Sequence, residues 1–299
     1  MYAIAIHAGA ESIEPGTLTP EQEQAYLNGL KQAVEVGKAV LARGGTALDA
    51  VEQAVQSMEN NELFNAGKGA VFTKSQTHQL DASIMCGQTL QAGVVAGVVN
   101  VRNPIHLART VMEQSEHVFL AGAGAIDFAR EQGLAFEPDA YFDTEQRYTE
   151  FEEAREQVLE APTKDTVGAV ALDSHGNLAA ATSTGGTTFE RAGRVGDTAV
   201  IGAGTYANNQ TCAVSCTGDG EYFIRAVAAH DVSCLVDYKG LSLGDACRTV
   251  LADKLTPLGA DAGIIAVNTS GQIEQVFNTP SMFRAWRNDQ GEGGTFIFK

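Results

Sequence analysis

A threonine that opens a buried strand directly behind a polar, cuttable segment can do one particular kind of chemistry. In this chain it is Thr166, within Asp165-Thr166-Val167-Gly168-Ala169-Val170-Ala171-Leu172-Asp173. Small and β-branched residues in a short run, closed by Ser174-His175-Gly176-Asn177, predict a core strand and its turn. If the Asp165–Thr166 bond breaks, Thr166 carries a free α-amine beside its own hydroxyl. An ordinary α-amine has a pKa of about 7.7–8.0, so part of it is neutral at physiological pH, and it can serve as base for that hydroxyl. The plain alternative is a strand threonine following a polar loop, and Thr166 alone does not decide between the two.

A nucleophile of this kind needs an orienting neighbour, donors for an oxyanion and a grip on the substrate. Thr184 ends the next strand, Leu178 to Ser183, where its hydroxyl can lie beside Thr166. In Thr217-Gly218-Asp219-Gly220 the glycines leave backbone N–H groups open to a substrate and the Thr217 hydroxyl adds a donor, as an oxyanion site requires. Gly193-Arg194-Val195-Gly196-Asp197 offers a bidentate cation and a counter-ion for the α-carboxylate and α-ammonium of an amino acid. Each has a plain reading beside it: a strand-end turn, a helix cap, a surface ion pair.

The elements that must position these residues follow from pattern. A first strand spans Tyr2 to His7. Thr19-Pro20-Glu21-Gln22 starts a helix, with Thr as cap, Pro in the first turn and Gln three residues after the cap. That helix ends at Gly44-Gly45, and a second opens at Thr46. Strands are expected at Leu80–Met85, Gly93–Val101, His117–Ala121, Val200–Ala203 and Cys212–Cys216, and helices from Pro104, from Gly122 through Phe128, over Gly220–Val236 and over Leu243–Leu255. A hairpin closes with Gly263–Val267 and Gln272–Phe277. Residues 134–165 hold ten Asp or Glu against three Lys or Arg. They read as a flexible acidic linker with one weak helical patch, Phe151 to Leu159. Runs of antiparallel-looking strands with helices grouped between them predict an α+β domain: two stacked sheets with helices on both outer faces.

Composition excludes several classes. The 299 residues carry a net charge of −17, which argues against nucleic acid or an anionic membrane surface as partner. No apolar run reaches the roughly 18 residues of a spanning helix, and the N-terminus lacks the charged region of a signal peptide. Five cysteines without framework spacing suggest a reducing compartment, so a cytoplasmic protein is expected. Cys212 and Cys216 lack the partners of a zinc site. Gly122-Ala123-Gly124 lacks the third glycine of a dinucleotide fingerprint, since Asp127 stands there.

Taken together, Thr166-Val167-Gly168-Ala169-Val170, Thr182-Ser183-Thr184-Gly185-Gly186, Gly193-Arg194-Val195-Gly196-Asp197, Gly202-Ala203-Gly204, Tyr206-Ala207-Asn208-Asn209 and Thr217-Gly218-Asp219-Gly220 resemble the plant-type asparaginase and isoaspartyl peptidase family of N-terminal-nucleophile hydrolases. Leu63-Phe64-Asn65-Ala66-Gly67 and Leu80-Asp81-Ala82 fit as well, so the likeness covers nearly the whole chain. The resemblance implies a single domain over 1–299, an αββα sandwich, cleaved before Thr166 into an α part, 1–165, and a β part, 166–299, assembled as (αβ)₂. It implies Thr166 as nucleophile, Thr184 as its neighbour, Thr217 and Gly218 at the oxyanion, Arg194 and Asp197 on the substrate with Gly220, and Asn65 reaching the site from the α side. It implies no catalytic cofactor, and a structural sodium ion held by backbone carbonyls around Met58, Glu59, Asn61, Phe64, Ala66 and Lys68, a ligand set suited to a hard cation.

Two departures stand out. Asparaginase-type members usually have Gly before the nucleophile, whereas Asp165 resembles the glycosylasparaginase and threonine-aspartase branches. Thr184-Gly185-Gly186 favours the asparaginase side. His7-Ala8-Gly9-Ala10-Glu11 is poorer in glycine than the family's early loop. The expected activity is hydrolysis of β-aspartyl dipeptides and L-asparagine. The alternatives are a glycosylasparaginase-type amidase and an uncleaved amino-acid-binding protein.

Overall fold

The computed structural model describes residues 1–156 and 164–299. Twelve strands form two sheets: β1 Ala3–Glu11, β2 Leu80–Cys86, β3 Ala92–Val98, β4 Phe119–Ala121, β5 Val167–Leu172, β6 Leu178–Thr184, β7 Thr205–Ala207, β8 Cys212–Gly218, β9 Ala262–Asn268, β10 Ile273–Phe277, β11 Ser281–Asn288 and β12 Gly293–Phe298. The large sheet runs β12-β11-β1-β5-β6-β2-β3-β4 and the small one β10-β9-β8-β7. Among the described residues eight α-helices accompany them: α1 Pro20–Ala42, α2 Ala47–Glu59, α3 Pro104–Gln114, α4 Gly122–Glu131, α5 Glu145–Arg155, α6 Gly220–Ala226, α7 Ala228–Lys239 and α8 Leu243–Thr249. The fold is mixed α+β.

Side chains alternate along each central strand, and the two sets enter different cores. Ile4, Ile6 and Ala8 of β1, with Val167, Ala169 and Ala171 of β5, pack against Leu30, Val34, Val51 and Val55 of α1 and α2. Ala3, Ala5, Val170, Leu172 and Ala180 face the other way and meet Ala207, Ala213, Ile265 and Val267 of the small sheet. Alanines at these facing positions let the sheets approach closely. On the far side of the small sheet, Cys212, Val214, Cys216 and Ile264 pack under Phe223, Val232, Cys247 and Val250.

The capping box at Thr19 and Gln22 forms as its spacing predicts. The β5–β6 turn is fixed by Asp173, which is 1% exposed. Its Oδ1 accepts from the N–H groups of His175 and Asn177, and its Oδ2 accepts from Ala47 N at the start of α2. One carboxylate therefore ties the hairpin that follows Thr166 to a helix. Asp173→Ala strands three N–H donors and is expected to lower unfolding free energy by about 2–4 kcal/mol in urea titrations.

Four expectations need correction. The stretch read as a linker, 134–165, contains α5: Thr144 caps it at Arg147 N, and buried Phe151 packs on Phe72 and Phe189. Only Arg147 and Phe151 are buried along that helix, too few to show a period in sequence. The part of the predicted patch that reaches Leu159 lies outside the described residues. The strand expected at Val200–Ala203 is a turn, and the pairing falls on Thr205–Ala207. The helix expected over Gly220–Val236 breaks at Val227, whose φ of 51° is left-handed. The break aims the first N–H groups of α7 at a loop, Ala229 N to Ala203 O and His230 N to Gly202 O. Finally, β11 and β12 lie beyond the last strand expected, and β11 pairs along β1 from Ala3↔Asn288 to Glu11↔Ser281.

Candidate active site

Thr166 lies at the entrance to β5 and is 4% exposed. The β5–β6 ladder pairs Val167 with Ser183, and the same antiparallel register brings Thr166 opposite Thr184. Thr166 Oγ1 donates to Thr184 Oγ1 at 3.3 Å, and Thr184 Oγ1 donates to the carbonyl oxygen of Asp165 at 3.1 Å. Asn65 Nδ2 donates to that same carbonyl at 2.8 Å. The peptide carbonyl preceding Thr166 is thus polarised by two donors, while the Thr166 hydroxyl is chained to one of them.

Asn65 is held on every side. Its Nδ2 also donates to Gly186 O at 2.7 Å, its Oδ1 accepts from Val71 N at 3.0 Å, and its main-chain oxygen accepts from Gly185 N at 3.1 Å. The loop after α2 is therefore locked to the loop after β6. The Asp165 side chain runs beneath the first strand: a Cβ on Gly9 would lie 1.7 Å from Asp165 Oδ1, so only glycine fits there. That position is the one glycine kept in His7-Ala8-Gly9-Ala10. Burial, and then the neighbouring Glu11 carboxyl, push the Asp165 carboxyl well above the usual carboxylate range.

The residues expected to hold a substrate also meet. A Cβ on Gly220 would lie 2.8 Å from Asp197 Oδ1 and 3.1 Å from Arg194 Nη2, so Arg194, Asp197 and the start of α6 meet at one point. Asp197 is 4% exposed and its Oδ2 has no hydrogen-bond partner among the described residues. Burial pushes its carboxyl up to about 7. Thr217 is fully buried and its Oγ1 likewise lacks a partner among the described residues, leaving an unspent donor. Gly218 beside it has φ +130°, and a Cβ there would lie 2.1 Å from Asp261 O. A hydroxyl beside a doubly hydrogen-bonded carbonyl, and an unpartnered acid and an unspent hydroxyl among the described residues, are the kinds of group that acyl transfer on an amino-acid-like substrate uses.

The residues matching the asparaginase description run from 1 to 297. The chain belongs to the asparaginase family. It is 50% identical over 294 residues to a protein of Escherichia coli named isoaspartyl peptidase, spanning 95% of this chain and 92% of that one. It is 40% identical over 292 residues to the isoaspartyl peptidase/L-asparaginase of Xenopus laevis, spanning 96% and 93%. A plant-type L-asparaginase of Pyrococcus horikoshii is 40% identical over 307 residues, spanning 97% of each.

Within this family member the structure adds residues that sequence reasoning passed over. Arg194 and Asp197 are not a surface ion pair. The Arg194 fork is filled by Glu221, Nε to Oε1 and Nη2 to Oε2 each at 3.0 Å, and its Nη1 meets Glu190 Oε2 at 3.3 Å. Arg194 holds the Glu221 carboxyl below its usual range, whereas burial pushes Glu190 up to about 7. Lys164, two residues before Thr166, reaches Asp219 at 2.6 Å and so lies over the start of α6. A glutamate four residues before Arg194 and another at the second position of α6 were visible, but no spacing rule joins a loop to a helix across the fold.

The loop expected to hold sodium is tightly wound. Backbone oxygens of Met58, Asn61, Phe64 and Ala66 accept from Asn61, Phe64, Ala66 and Gly69 N–H groups within the loop. A Cβ on Gly69 would lie 2.2 Å from Phe64 O and 2.6 Å from Glu62 O, and one on Gly67 2.5 Å from Glu59 O. Carbonyl oxygens crowd this turn, a donor set compatible with a hard cation. The Glu59 side chain turns away, accepting from Ser183 Oγ, Ile105 N and Asn103 Nδ2, while Lys68 pairs with Glu62. Among the described residues no cluster of His, Cys, Asp or Glu could hold a metal, and no helix is long and apolar enough to cross a membrane.

Proposed function

We propose that this chain is an isoaspartyl peptidase and L-asparaginase, hydrolysing β-aspartyl dipeptides best and L-asparagine as a smaller substrate, with Thr166 freed by self-cleavage as the nucleophile. The observation that carries the reading is the Asp165 carbonyl, gripped by Asn65 Nδ2 and Thr184 Oγ1 beside the Thr166 hydroxyl.

In the first stage the Thr166 Oγ attacks the Asp165 carbonyl carbon, its proton passing towards Thr184. Asn65 and Thr184 stabilise the oxyanion, and collapse breaks the C–N bond as the proton taken from Oγ reaches the departing Thr166 nitrogen, moving the acyl group from nitrogen to oxygen. Water then cleaves the ester, giving an α part, 1–165, and a β part, 166–299. A cavity of about 720 Å³ borders Asp165, with Glu11, Tyr26 and Arg147 in its walls, and offers water an approach. In the second stage the Thr166 amine takes the proton of its own hydroxyl, which attacks the side-chain carbonyl of the aspartyl unit. Thr217 Oγ1 and the Gly218 backbone hold the oxyanion, the amine leaves with the proton returned by the Thr166 ammonium, and water hydrolyses the acyl-enzyme as the Thr166 amine again serves as base. Arg194 receives the substrate α-carboxylate, which replaces Glu221 on its fork, and Asp197 receives the α-ammonium beside Gly220.

No catalytic cofactor enters this scheme. A sodium ion on the carbonyls of Met58, Glu59, Asn61, Phe64, Ala66 and Lys68 would brace the loop that presents Asn65. A four-layer αββα sandwich, assembly as (αβ)₂ and a cytoplasmic setting complete the reading; helices on the outer faces of two packed sheets and five free cysteines support it.

Asp197 accepts an ammonium only when ionised, and its carboxyl titrates at about 7. Deprotonation of the Thr166 amine, ordinarily at about 7.7–8.0, acts in the same direction. The expected kcat/KM therefore rises with pH through about 7 to 8 with a limiting log slope of two. Asp197→Asn removes one ionisation, reducing the slope towards one and kcat/KM by about 10- to 100-fold, the loss of a charged hydrogen bond. Assays with a β-aspartyl dipeptide, L-asparagine and an N-glycosylated asparagine test the substrate class. The reading expects the largest kcat/KM for the dipeptide; preference for the glycosylated substrate would replace it with the glycosylasparaginase alternative.

A further inference from the structure

A row of polar side chains runs through the otherwise apolar space between the two sheets, directly behind the nucleophile. Cross-strand register builds it: His7 of β1 pairs with Gly168 of β5, Gly168 with Thr182 of β6, and Thr182 with Ser83 of β2. From the small sheet Ser215 of β8 and Thr205 of β7, themselves a register pair, enter the same row. All five side chains are fully buried. Gly168 leaves the room they need, since a Cβ there would lie 2.1 Å from Ser215 Oγ and 2.3 Å from His7 Nε2.

The hydrogen bonds have one direction. His7 Nδ1 is 2.9 Å from the main-chain oxygen of Thr166, and a carbonyl can only accept, so Nδ1 carries the proton. Nε2 is then an acceptor and takes the Ser215 hydroxyl at 2.8 Å. Ser215 Oγ accepts from Thr182 Oγ1 at 2.7 Å, and Thr182 Oγ1 from Thr205 Oγ1 at 2.5 Å. Ser83 closes the row, its hydroxyl shared between Thr205 Oγ1 at 2.8 Å and Thr198 O at 2.6 Å. Burial holds the His7 ring neutral by lowering its pKa to about 3, which the row requires.

We infer that His7, oriented by the row Ser215–Thr182–Thr205–Ser83, is the positioning residue that fixes the Thr166 carbonyl and thereby aims the nucleophile's amine and hydroxyl. This role for His7 rests on Thr166 being the nucleophile. Once the Asp165–Thr166 bond is cut, Thr166 keeps only its C-terminal peptide link. The position of its own carbonyl then helps set where the amine and Oγ lie, and beyond the β5 ladder that starts at Val167 the His7 Nδ1–H anchors that oxygen. A misplacement of about 1 Å at a reacting group can cost on the order of 100-fold in rate.

The test compares two amides at position 7. Asparagine places its N–H₂ where histidine has Nδ1, whereas glutamine reaches the Nε2 position and offers no donor to Thr166 O. With a β-aspartyl dipeptide as probe and fragments verified by mass, His7→Gln is expected to lower kcat on the order of 10- to 100-fold with KM little changed. His7→Asn should stay within about threefold of wild type, and Ser215→Ala, which loosens the ring but keeps its donor, should fall between. A ¹⁵N spectrum of the wild-type imidazole should show a neutral Nδ1–H tautomer that does not titrate between about pH 5 and 9, the range spanning an ordinary histidine. Equal losses in the Asn and Gln variants, unchanged kcat in Gln, or an Nε2–H ring would overturn the inference. A wild type that neither cleaves nor turns over, like Thr166→Ala, would instead remove the Thr166 reading and this one with it.

Discussion

Replacing Thr166 by alanine is expected to leave one unbroken chain and to lower turnover by about 10⁵- to 10⁶-fold, the scale of removing a covalent nucleophile. Among the described residues Thr184 carries the neighbouring hydroxyl, and it is not placed to substitute. Thr184 Oγ1 points its hydrogen at the Asp165 oxygen and accepts from Thr166, so its orientation is that of a donor to the carbonyl. Folding should survive, because the substitution deletes one 3.3 Å hydrogen bond and shifts stability by about 1 kcal/mol. Thr166→Ser keeps the hydroxyl and the amine, and should cleave and turn over at a reduced rate. Mass spectra and dipeptide assays on the same preparations decide this. Two fragments from Thr166→Ala would mean that another group attacks the bond.

The second large effect is expected at the Asp165 carbonyl. Asn65→Ala and Thr184→Val each remove one of its two donors, and each should slow self-cleavage by about 10²- to 10³-fold, the usual cost of an oxyanion donor. Asn65→Ala carries an additional penalty, because Val71 N and Gly186 O also lose their partner. Asn65→Asp keeps an acceptor for Val71 N but sets a carboxylate oxygen against Asp165 O and Gly186 O. First-order cleavage rates followed by mass should therefore fall in Asn65→Asp at least as far as in Asn65→Ala. Equal cleavage rates in wild type and Asn65→Asp would show that this donor contributes nothing to the transition state.

Much of this architecture was legible where local chemistry and period agree. The Thr19 capping box, the β5–β6 hairpin behind Thr166 and the closing hairpin β9–β10 stand where their residues predict. Arg194, Asp197 and Gly220 meet at one point in the structure, but no local signature joins their loop to the start of α6. What escaped reading depends on contacts between distant segments. Val227 is a β-branched residue in a left-handed conformation, which only the two hydrogen bonds from α7 to Ala203 and Gly202 explain. The strands β11 and β12 were passed over because glycines and charged residues interrupt their alternation, although β11 closes the whole length of β1. His7 sits in a run that reads as ordinary strand. Its task emerges only when Ser215 and Thr182, brought from two sheets, reach its ring.

The central claim is that Thr166 becomes a chain terminus, and an intact-mass time course on freshly purified protein tests it most directly. The account predicts that the full-length species decays with first-order kinetics into two fragments summing to the chain plus one water. The smaller fragment should begin at Thr166, and dipeptide hydrolysis should rise in step with its appearance. A single 299-residue species that persists while the dipeptide is hydrolysed would contradict the account, because the amine on which the mechanism depends would never have been released.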